Sequence, residues 1–106
     1  MATHQRRFHG LDVDPADVLV TAGATEAIAA AVLALTGPGD EVVVFEPYYD
    51  SYAATIALAG ATRRTVVLRS PGFGVDEDAL RAAFSDRTRL VLLNTCLLYT
   101  SDAADE

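Results

Sequence analysis

The residues best suited to chemistry in this chain are Gly23, Ala24 and Thr25, at the junction between the apolar run "VLVT" and the alanine-rich "EAIAAAVLALT". Side chains this small let a ligand reach the backbone. The first N–H groups of a helix have no partner within the helix and stand at the positive end of its dipole, so such a junction suits a phosphate. The Thr25 hydroxyl adds one further hydrogen bond. The plainer alternative is a tight connection in which Gly23 serves only backbone freedom. A second group is "EPYYDSY", residues 46–52, which brings three tyrosines to the end of a strand. Tyr49 is the one assigned to cover a face of a heteroaromatic ring held above the turn. Alternatively, Tyr48, Tyr49 and Tyr52 are core or interface side chains with their hydroxyls at the surface.

Other chemistries lack their residues. The dinucleotide fingerprint needs three glycines as GxGxxG, whereas only Gly23 stands at this junction, and no Gly-Lys-Ser or Gly-Lys-Thr phosphate loop occurs. The single Cys96 has no partner for a disulfide or a CxxC site, and His4 and His9 are the only histidines, so no metal is expected. Fifteen acidic against eight basic residues give a net charge of −7, which argues against a general grip on nucleic acid or an anionic membrane. No apolar run approaches the roughly 20 residues that span a bilayer, and "MATHQRRFHG" lacks a signal peptide's apolar core, so a cytoplasmic protein is expected.

The elements that must position these residues follow from periodicity. Residues 2–9 read as a helix tail with Gly10 as its left-handed cap. An Asp-Pro turn leads into a buried strand at "VLVT", then a helix over 24–36 that "GPG" stops. "EVVVF" reads as a strand ending at Glu46-Pro47, residues 49–59 as a helix closed by Gly60, and "TRRTVVL" as a strand. "SPGFG" is a turn, "VDEDALRAAF" an amphipathic helix led by acids, and "RLVLLN" a buried strand. Four strands alternating with three helices predict an α/β fold, a mostly parallel sheet flanked by helices. Two of the strands are near-continuous apolar runs, as expected when both faces are covered.

Taken together, "VLVTAGATEAIAAAVLALTGPGDEVVVFEPYYDSY" and "ALAGATRRTVVL" resemble the large domain of fold type I pyridoxal-phosphate aminotransferases of class I/II. The chain looks most like the branch containing kynurenine–glutamine transaminases and N-succinyldiaminopimelate aminotransferases. The resemblance covers roughly residues 4–95 and rests on G-A-T-E-A, P-G-D-E-V and E-P-x-Y-D-S-Y. It implies a partial three-layer sandwich. It also implies that the Ala24 and Thr25 backbone, with Gly23 allowing close approach, binds the phosphate of pyridoxal 5'-phosphate, and that Tyr49 stacks on its pyridine ring. Tyr48, Asp50, Tyr52 and Glu46 are left with structural roles. The implied reaction moves an amino group from an amino acid to a 2-oxo acid, in an enzyme that works as a homodimer.

The family pattern then breaks. All eight basic residues are arginines, so no lysine can form the Schiff base with the cofactor, and no catalytic residue is assigned. After "LLNT" the family continues Pro-x-Asn-Pro-x-Gly, whereas here Cys96 replaces the first proline and Leu98 the asparagine. Asn94 lies four residues too early to be that asparagine. The expectation is therefore a partial aminotransferase large domain over 1–95 followed by a foreign tail over 96–106, inactive by itself. The competing expectation is a small non-catalytic α/β binding or interaction module, which the missing lysine also suits.

Overall fold

A computed structural model describes residues 1–69 and 71–94. Helix α1 spans Ala2–His9, and a 3-10 turn follows at Pro15–Asp17. Then come α2 (Ala24–Leu35), β1 (Glu41–Glu46), α3 (Asp50–Leu58), β2 (Thr62–Val67), α4 (Glu77–Ala83) and β3 (Thr88–Leu92). Local chemistry sets most of these boundaries. Gly10 caps α1 with φ 66°, its N–H donating to the Arg6 carbonyl. The Asp14 carboxylate accepts from the Ala16 N–H at 2.9 Å, and the Asp76 carboxylate does the same for Asp78 at the start of α4. After α2, the Asp40 carboxylate accepts from the Gly37 N–H at 3.0 Å and closes the turn into β1. Gly60, at φ 80°, ends α3. A Cβ there would meet Pro38 Cγ at 3.1 Å, so this turn is fixed by both conformation and close approach.

The strands form one parallel sheet in the order β2-β1-β3. From β1 the chain steps outward to β2, then passes back across β1 to β3. With right-handed crossovers, those opposite steps put α3 and α4 on opposite faces. The core follows the period of two: Val42 and Val44 pack with Val32 of α2 and Ile56 of α3, while Val43 packs with Val66 and with Ala83 of α4. The three-layer arrangement is thus present around β1, whose valines are fully buried.

Hydrogen bonds also define the open edge of β2. The Thr62 N–H donates to the Asp40 carbonyl and the Leu68 N–H to the Glu46 carbonyl, so the even-numbered residues of β2 turn their polar groups toward β1. Those of Arg63, Thr65 and Val67 therefore face outward, and no described residue pairs with them.

Two expectations are corrected. "VLVT" over 18–21 forms no strand; the chain there is extended without a ladder, with Leu19 84% and Val20 72% exposed. A strand needs a neighbour to hydrogen-bond, and among the described residues none lies beside this one, so β propensity alone is insufficient. The sheet accordingly has three strands rather than four. Second, β3 is covered only in part: Leu90 and Leu92 pack against the core, whereas Val91 and Leu93 are exposed. Cys96, Leu98 and the proposed tail lie outside the described residues.

Candidate phosphate-binding and ring-stacking site

Helix α2 runs into β1 through a turn of five residues, so the two are antiparallel neighbours of similar length, about 18 Å for twelve helical residues and about 20 Å for six in a strand. The N-terminus of α2 therefore stands at the carboxyl end of β1, where Tyr49 begins α3. Ile28, one turn into α2, and Tyr48 both pack against the cluster of Val32, Val42, Val44 and Ile56, in keeping with that arrangement. Ligands of open parallel sheets collect at this end. The structure thus brings Gly23, Ala24, Thr25 and Tyr49 to one end of the sheet.

At the turn, Gly23 is the N-cap of α2 with φ 94° and ψ 168°. The Thr21 hydroxyl donates to the Gly23 carbonyl at 2.8 Å, and the Glu26 carboxylate accepts from the Ala22 N–H at 2.8 Å. These two bonds hold the turn from either side, much as a capping box does. They leave the N–H groups of Gly23, Ala24, Thr25 and Glu26 without a hydrogen bond among the described residues, on an exposed surface. Open N–H donors at a helix start, together with the Thr25 hydroxyl, are the groups that an anion site requires.

Beyond the carboxyl end of β1, Tyr49 is the N-cap of α3 and is 50% exposed. Tyr52 is buried, its ring 6.2 Å from that of Tyr49 at 80° and 6.3 Å from that of Tyr48 at 11°. The Tyr48 hydroxyl accepts from the Arg63 guanidinium, which also lies 5.7 Å from the Tyr48 ring centroid. Asn94, just beyond β3, donates from Nδ2 to the Tyr52 hydroxyl at 3.1 Å. Sequence reasoning did not single out Glu26 as the residue that holds the turn. An acid at the third helical position is the signal that finds it. Nor did it pair Tyr52 with Asn94, 42 residues away, for which no local pattern exists.

The family model for class I and II aminotransferases matches residues 2–103. The chain belongs to that family. It is 54% identical over 98 residues to a probable N-succinyldiaminopimelate aminotransferase of Mycobacterium tuberculosis, which covers 90% of this chain and 25% of the relative. It is 49% identical over 96 residues to a methionine aminotransferase of Escherichia coli, with the same coverage. Solved structures of a methionine aminotransferase from E. coli and of the M. tuberculosis N-succinyldiaminopimelate aminotransferase superpose with TM-scores of 0.85 and 0.84 over 89% of this chain. The chain thus spans about a quarter of the length of these aminotransferases. Class I aminotransferases depend on pyridoxal phosphate, and this aminotransferase segment fits part of that cofactor. Its free amides suit the phosphate and its exposed Tyr49 ring suits a flat heterocycle, while a lysine to bond the cofactor is absent from the chain.

Proposed function

We propose that residues 1–95 are the part of an aminotransferase large domain that holds the phosphate and one ring face of pyridoxal phosphate. The observation that carries this reading is the set of unbonded amides from Gly23 to Glu26 at the sheet end that also presents Tyr49. The Ala24 and Thr25 N–H groups and the Thr25 hydroxyl bind phosphate oxygens, Gly23 admits them to the backbone, and Tyr49 covers the pyridine ring. When bound, the cofactor supplies the electron sink through which an amino acid gives up its amino group and a 2-oxo acid receives it. This chain's residues anchor and orient. Covalent attachment and proton transfer need a lysine, which belongs to the other three quarters of such an enzyme. The exposed Leu19, Val20 and Leu93 suit burial against that remainder. The whole enzyme is proposed to be a homodimer in the cytoplasm, as the resemblance to class I/II aminotransferases implies.

Two measurements test the reading. Thr25→Glu puts a negative charge at this helix start and is expected to weaken phosphate binding at least about tenfold; unchanged affinity in a titration with inorganic phosphate refutes the phosphate site. Incubation of the chain with pyridoxal phosphate, an amino acid and a 2-oxo acid is expected to give no 2-oxo acid product above that of free cofactor. Turnover beyond that background shows that the chain does not need the missing lysine.

A further inference from the structure

Resting on the assignment of Tyr49 to the pyridine ring, we infer that Tyr52 is the positioning residue that sets the Tyr49 ring, and that Asn94 holds Tyr52 in place. The three tyrosines at this sheet end are anchored unequally. Tyr48 is held through its hydroxyl by Arg63 and through its ring face by the same guanidinium. Tyr52 is 6% exposed and its hydroxyl accepts the Asn94 hydrogen bond. The phenol oxygen finds its partner in this part-buried bond, which ties the Tyr52 ring to the end of β3. Tyr49, by contrast, is half exposed, and its hydroxyl makes no hydrogen bond among the described residues. What orients its ring is the edge-to-face packing on Tyr52, reinforced by the Tyr52 N–H donating to the Tyr49 carbonyl at 3.0 Å.

The order of dependence is therefore Asn94 to Tyr52 to Tyr49, linking the end of β3 to the first turn of α3. A ring held before its ligand arrives loses less freedom on binding, and the gain belongs only to ligands that carry a ring. That distinguishes positioning from a purely structural role, which would lower stability without selecting between a ring-bearing phosphate and a bare one.

The test uses the full chain with pyridoxamine 5'-phosphate, which is fluorescent and has no aldehyde to react with amines, and with inorganic phosphate. Tyr52→Phe removes the hydroxyl and keeps the ring; Asn94→Leu breaks the same bond from an exposed position, so the test stands even where Tyr52→Phe unfolds the chain. Each is expected to weaken pyridoxamine phosphate about three- to tenfold while leaving inorganic phosphate within about twofold. The double variant is expected to lose less affinity than the two single losses added together, because the Tyr52–Asn94 bond is common to both. The inference is overturned if Tyr49→Leu weakens pyridoxamine phosphate and neither of these variants does, or if affinity for inorganic phosphate falls in parallel. If Thr25→Glu and Tyr49→Leu both bind like the unaltered chain, the cofactor reading itself has failed and this inference falls with it.

Discussion

At the scale of single residues, backbone conformation constrains this chain most tightly at Gly60. Its φ of 80° and the 3.1 Å approach of Pro38 mean that any side chain there is both twisted and crowded. Gly60→Ala is expected to lower unfolding free energy by about 1–2 kcal/mol, measured as a shift in urea midpoint at constant slope. Gly60 as a stop, Gly10 as a cap and Gly23 as a junction are all legible in the sequence, because each depends on its immediate neighbours. The same holds for Tyr49 at a strand end. The Tyr52–Asn94 bond is not legible, since it appears only once β3 lies beside β1 and brings residue 94 to the start of α3.

At the scale of elements, the helices and the three strands stand where periodicity and punctuation put them, within a residue or two. The failure at 18–21 is instructive because "VLVT" differs little from "EVVVF" in propensity. β1 has a neighbour on each side and buries three valines; residues 18–21 have none among the described residues, and Leu19 and Val20 remain exposed. Pairing is a property of two segments, and a sequence read one segment at a time does not contain it. Stability should accordingly concentrate where the layers meet. Ile56, 1% exposed between α2 and β1, is expected to cost about 2–5 kcal/mol on replacement by alanine. The same change at the exposed Leu58 should stay within about 0.5 kcal/mol. Comparison of the two in one denaturation series checks that α3 packs on the Val42 and Val44 face through Ile56 and not through Leu58.

At the scale of the whole molecule, a three-stranded sheet has two edges, and β2 presents one of them with Arg63 and Arg64. Charged side chains on both faces of an edge strand discourage another strand from joining it. The neighbouring hollow between β2 and α4, about 330 Å³ and floored by Ala79, Ala82 and Ala83, is bordered by the same arginines. Composition reveals the acidic balance of the chain but not that this basic pair marks an edge, because edges are defined by strand order.

The alternation of polar groups along β2 has one more consequence, visible in heavy water. The amides of Arg64 and Val66 face β1 and should keep their protons, whereas those of Arg63, Thr65 and Val67 face solvent and should take up deuterium first, giving a comb of fast and slow sites along one strand. Central β1, paired on both sides, should show no such comb, so residue-resolved exchange reads the order of the strands without any ligand present.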